Sequence, residues 1–201
     1  MRNLKKYMHY ESQATYHIFN RSNELLFHNR ENYLFFLKKI RKHILPYADI
    51  LAYCLMPNHF HLLVTLKDAA VETTRFKGKE EVQQFSFSIG QMLSSYTQAI
   101  NKQIGRRGYL FAHNTRAKML NDLGNDYLLS CFLYIHQNPL QASLVYKLED
   151  WEFSSYLDYV GLRNGTLVNT EEGLEMLQIS EEQVKYLIDK FIQDKQDSDF
   201  L

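Results

Sequence analysis

Apolar positions along the chain switch between two spacings, every second residue and every third or fourth, and the switches mark its elements. ATYHIFNRSN (Ala14–Asn23) is β-branched and aromatic and runs into turn formers, which predicts a strand. ENYLFFLKKIRKHIL (Glu31–Leu45) sets Leu34, Leu37, Ile40 and Ile44 at helical spacing with cations between them. ADILAYCLM (Ala48–Met56) and HFHLLVTL (His59–Leu66) are two further strands, joined as a hairpin by a turn at Met-Pro-Asn, where Pro57 fixes φ and Asn58 tolerates unusual dihedrals. KDAAVETTRFKGKE is polar without a period and is expected to be a loop. Residues 81–105 form a long helical stretch closed by Gly105. RRGYLFAHNTRAKML (Arg106–Leu120) begins as a basic turn and continues as an extended segment. NDYLLSCFLYIHQNP (Asn125–Pro139) is a helix expected to end at Pro139. From Leu140 the pattern gives short helices, one short strand and an amphipathic last helix, EEQVKYLIDKFIQDK.

Strand, helix, strand, strand, helix, strand is the order of an α+β sandwich: a ferredoxin-like antiparallel sheet with helices packed on one face, followed by a small helical C-terminal extension. The division expected is residues 1–155 for the main domain and 156–201 for an acidic, mostly helical extension.

Composition narrows the class. Hydrophobic residues at 45% and charged residues at 23% suit a folded globular chain of 201 residues. No apolar run is long enough to span a bilayer, and the basic N-terminus has no apolar segment behind it, so neither a membrane nor a secretory route is expected. Cys54 and Cys131 are not spaced as a zinc pair, which fits free thiols in a reducing cytoplasm. The net charge of zero conceals a polarity. Residues 1–120 hold 18 Lys and Arg against 8 Asp and Glu, and the remainder holds 5 against 15. A basic half points to nucleic acid; two halves neutralising one another across an interface is the alternative.

The chemistry concentrates in CLMPNHFHLLV (Cys54–Val64). Side chains alternate across a strand, so His59 and His61 project from one face and Phe60 and Leu62 from the other. Their Cβ atoms lie about 6–7 Å apart, close enough for both imidazoles to reach one metal ion. Ordinary strand histidines, each bonded to a neighbour, give the same pattern.

With its flanks, YCLMPNHFHLLV resembles the HUH motif (histidine, bulky hydrophobic, histidine) of single-tyrosine nucleases, and is similar to that of the REP-associated tyrosine transposases. YIHQNPLQASLV (Tyr134–Val145) resembles the family's nucleophile helix, in which a tyrosine is followed four residues later by an amide. Tyr134 and Asn138 hold those places, on one helix face. YTQAINKQIGRRGYLF is similar to the family's basic, glycine-containing stretch. The likeness runs from about Ala14 to Ser155. It implies a DNA endonuclease and strand transferase that works through a covalent 5′-phosphotyrosine intermediate. Tyr134 is then the catalytic nucleophile, and His59, His61 and Asn138 hold Mg2+ or Mn2+. His136 and Gln137 are neighbouring candidates for the third ligand. Tyr96 is a rival nucleophile, with Asn101 five residues on, a poorer facial match.

The family's partner is single-stranded or hairpin DNA, and some of its members are homodimers. Arg106, Arg107, Arg116 and Lys118 cluster after the long helix, and Lys38, Lys39, Arg41 and Lys42 on the first helix, as candidate phosphate contacts. Tyr109 and Phe111 are candidates for base stacking, with core packing as the alternative. Two other functions fit the same residues: a DNA-binding relative that has lost activity, and a metal-dependent hydrolase in which Tyr134 is structural.

Overall fold

The computed structural model describes residues 9–75, 81–112, 114–121 and 124–198, with side chains as far as residue 191. The reading of the N-terminus and the end of the polar loop, residues 76–80, lie outside the described residues.

The first 120 residues build a four-stranded antiparallel sheet. Its strands are β1 (Thr15–Arg21), β2 (Ala48–Met56), β3 (His59–Leu66) and β6 (Arg116–Met119), in the order β2-β3-β1-β6. That is the expected ferredoxin-like arrangement. Two helices, α1 (Arg30–His43) and α3 (Gln84–Gln103), cover one face. There Ile18, Ile50, Phe60, Leu62 and Val64 from the strands meet Phe36, Ile40, Phe85 and Tyr96 from the helices. Asn29 caps α1 by accepting from the Asn32 amide, a first-turn donor with no partner inside the helix. α3 ends as its sequence requires: Gly105 turns left-handed at φ +66°, and the Arg106 amide donates to the Asn101 carbonyl.

The polar segment after β3 is more ordered than its composition predicts. It contains a short helix, α2 (Asp68–Val71), and β4 (Thr73–Arg75), which pairs with β5 (Glu81–Gln83) as a separate two-stranded ribbon.

The opposite face of the sheet is also covered, and this layer carries the site. α4 (Asn125–Gln141) lies against β2 and β3, and is itself backed by α5 (Tyr156–Tyr159), α6 (Thr170–Leu177) and α7 (Glu181–Ser198). Leu63, Ala52 and Cys54 of the sheet meet Phe132, Ile135, Tyr156, Tyr159 and Ile188 in a second core. A bulge at Leu51 shifts the register of β2 between Ile50 and Ala52, turning Leu51 toward this second core. The freed Leu51 carbonyl accepts from the Tyr159 hydroxyl at 2.6 Å. Residues beyond 155 thus share a core with the main sheet. Among the described residues no helix is long and apolar enough to cross a membrane.

Candidate active site

The β2–β3 turn is two residues long, Pro57 and Asn58, because Met56 pairs directly with His59. Its carbonyls are held from outside the hairpin. Pro57 accepts from the Leu26 amide, and Asn58 from the Ser22 amide. The start of β3 is therefore fixed on both sides, and alternation from that point puts His59 and His61 on the face covered by α4. His61 is buried; His59 is half-buried.

Both imidazoles have a hydrogen-bond partner at Nδ1. His59 Nδ1 donates to Asn58 Oδ1 at 2.8 Å, a bond with one possible direction because an amide oxygen only accepts. His61 Nδ1 lies 2.9 Å from Nε2 of His17, on the neighbouring strand β1. His61 Nε2 is buried and has no hydrogen-bond partner. Burial holds all three rings toward the neutral form. It pushes His17 down to about 4, with help from the Lys118 charge, and lowers His59 and, further, His61.

Tyr134 and Asn138 arrive from α4, one turn apart. The Tyr134 ring stands edge-on to His61 with 5.4 Å between centroids, and 6.4 Å from His17, all within one chain. Burial raises the phenol above its ordinary value, with the Cys131 and Cys54 thiols adding to the effect, so it rests protonated at neutral pH. α4 does not stop at Pro139 but runs through it to Gln141. Proline removes the amide that would bond the Ile135 carbonyl. The Asn138 side chain turns back onto its own helix, Nδ2 donating to the Tyr134 carbonyl at 2.7 Å and reaching Ile135 at 3.4 Å. The Asn138 side chain also hydrogen-bonds the His59 ring, which works against the lowering by burial. Two imidazole nitrogens and an amide oxygen form a donor set that suits a divalent ion with open positions left over. Among the described residues no group of three or more His, Cys, Asp or Glu is placed to hold a metal.

The other sequence candidates separate. Arg116 and Lys118 pair with Phe19 and His17 across β1–β6 and share their face with the histidines. Arg107 is exposed after α3. Arg106 is engaged in structure: it forms a two-pronged ion pair with Glu24 at 2.8 Å and bonds the Tyr109 carbonyl. Lys38 and Lys42 lie on α1, across the sheet from the site. His136 and Gln137 point away as well, His136 to Ser155 and Gln137 to the Ile188 carbonyl. Tyr96 is buried in the first core and donates to the Leu26 carbonyl at 2.7 Å. Phe111 packs against that core, whereas Tyr109 is 83% exposed.

Three contributors escaped the sequence reading. His17, Phe19 and Arg21 alternate along β1 and face the site, Arg21 directly across from His59. The signal was the period of two in TYHIFNR; which strand it would pair with was not visible. Beside His59, Asn23, Leu25, Met56, Asn58, Ala142 and Leu144 line a cleft of about 480 Å³.

Fold and site together define a class: a ferredoxin-like α+β unit in which a strand with paired histidines faces a helix bearing a tyrosine and an amide. The structure is similar to that of a REP-associated tyrosine transposase bound to a REP hairpin. The TM-score is 0.56 at 19% identity, over 84% of this chain and 94% of that one, and the likeness is one of fold. No family model matches the chain, and no curated protein matches it in sequence.

Proposed function

We propose that this protein cleaves and rejoins single-stranded DNA, with Tyr134 as the nucleophile. The observation that carries the reading is the meeting of Tyr134 with His61 inside one chain, on the face where Nε2 of His61 is buried without a hydrogen-bond partner. His59, His61 and Asn138 would hold a divalent ion, Mg2+ or Mn2+, which when bound would supply positive charge at a scissile phosphate. The Tyr134 oxygen attacks phosphorus and gives up its proton. A Tyr–O–P bond forms, the bond from phosphorus to the 3′ oxygen breaks, and that oxygen leaves as a hydroxyl. The 5′ end stays on the protein. A 3′-hydroxyl from another strand reverses the step and frees the tyrosine, so no external energy source is required.

Arg21, Arg116, Lys118 and Arg107 are exposed and suit a phosphate backbone passing the site. DNA with a hairpin next to a single strand is the substrate we favour, given what the structural neighbour is bound to. Residues 1–155 hold the chemistry, and the described helices after residue 155 brace α4.

The test is incubation with end-labelled single-stranded hairpin DNA and Mn2+, resolved on a denaturing gel. A protein–DNA adduct is expected, absent with Tyr134→Phe and reduced at least about 100-fold with His61→Ala. Cleavage that survives Tyr134→Phe would indicate a metal-dependent hydrolase. Tight binding with neither adduct nor cleavage would indicate an inactive relative.

A further inference from the structure

We propose that His17 is a positioning residue, which accepts the Nδ1 proton of His61 and so leaves Nε2 of His61 as the nitrogen offered to the site. The inference rests on reading His59 and His61 as cation donors.

A neutral imidazole carries one proton, and the partner of one nitrogen decides where it sits. His17 Nε2 and His61 Nδ1 are 2.9 Å apart, so one proton serves both atoms. If His17 supplied it, His61 would keep its own proton on Nε2. That atom is buried and has no acceptor, so a donor would be left unsatisfied in the interior. If His61 supplies it, the same bond is made and Nε2 carries a lone pair, which a cation at the site satisfies, whereas an N–H there would repel one. Asn58 does the same for His59 from the turn, with an oxygen that can only accept. The two candidate donors are therefore set by two different neighbours, one local and one from the adjacent strand.

β1 pairs with β3 so that Phe19 lies opposite His61 and His17 opposite Leu63, which places His17 diagonal to His61 on the same face. The two rings lie nearly parallel, 28° apart, with centroids 5.0 Å apart. This packing holds the nitrogens in register. Partners of this kind orient metal-binding histidines, and their loss costs about 10- to 100-fold in metal affinity.

The experiment uses long-range 1H–15N NMR on metal-free protein to read the His61 tautomer, and Mn2+ titration followed by electron paramagnetic resonance to read affinity. Wild type is expected to carry the His61 proton on Nδ1. His17→Leu should move it to Nε2 and weaken Mn2+ binding about 10- to 100-fold. His17→Gln, whose amide oxygen reaches the place of Nε2, should restore both. A wild-type His61 protonated on Nε2, or unchanged Mn2+ affinity in a folded His17→Leu, overturns the proposal. If His17→Leu does not fold, the wild-type tautomer alone decides. That readout needs neither DNA nor metal, so a failure of strand cleavage is seen separately from a failure of this assignment.

Discussion

Tyr134 and Tyr96 sit on two helices on opposite sides of the sheet, and their surroundings give them different work. The Tyr96 hydroxyl is spent on the Leu26 carbonyl inside a closed aromatic core; the Tyr134 ring meets imidazoles at a half-open face. Tyr96→Phe should therefore cost about 1–2 kcal/mol in denaturant unfolding, since it strands a buried carbonyl, and should leave the DNA adduct intact. An adduct lost with Tyr96→Phe at full stability would move the nucleophile to α3. The family resemblance pointed to Tyr134 and Asn138, and their spacing, local to one helix, agrees with it. The sequence reading missed His17 because a cross-strand neighbour is fixed by register, which no local pattern encodes. Arg106 shows the converse. In the sequence it is one cation in a cluster, while in the fold its guanidinium organises a loop through Glu24 and two backbone carbonyls.

Among the elements, the main sheet was legible because its long strands are apolar or β-branched runs bounded by turn formers, and the long helices by their periods; the polar β4–β5 ribbon carries neither signal. The end of α4 was not. Pro139 was expected to stop the helix, yet the lost backbone bond is eased by the side chain of the preceding asparagine. A further case lies where α6 docks. Gly173 is in the middle of that helix, where alanine would normally gain about 1 kcal/mol. A Cβ there would fall 2.0 Å from the Tyr159 hydroxyl, and that hydroxyl is anchored on the bulge carbonyl of Leu51. Gly173→Ala is expected to destabilise the fold by about 1–3 kcal/mol, read as a lower denaturation midpoint, because overpacking outweighs propensity. A higher midpoint would mean that Tyr159 can yield freely.

At the scale of the whole molecule, the sheet is covered on both faces, and the second cover is built largely from the acidic part of the chain. Charge pairing between the halves is thin. Among the described residues one ion pair, Arg30 with Glu152, joins them, and both partners are exposed, so it contributes little. On the basic surface of β1 and β6, Lys118 is held by the hydroxyl and ring of Tyr127, while Arg21 and Arg116 are exposed. The interior also holds neutral histidines, which makes the fold sensitive to acid. Burial keeps His17 uncharged down to about 4 and His136 down to about 3, whereas in the unfolded chain both take up protons near 6.5. Below about pH 6.5 the unfolded state binds more protons than the folded one, so stability falls as pH falls, until these groups also charge in the folded state. Each should cost about 2 kcal/mol at pH 5 relative to pH 7.5, measured by urea unfolding at the two pH values. A flat profile would mean that neither ring is shielded.

Among the described residues a single phenol, that of Tyr134, packs against the ring of His61. One hydroxyl can carry one severed end at a time. Excising a segment requires two severed ends, so under the proposed chemistry either two molecules act in concert or one molecule must discharge its first end before taking the second. Counting DNA ends captured per protein molecule in a single turnover would tell these itineraries apart.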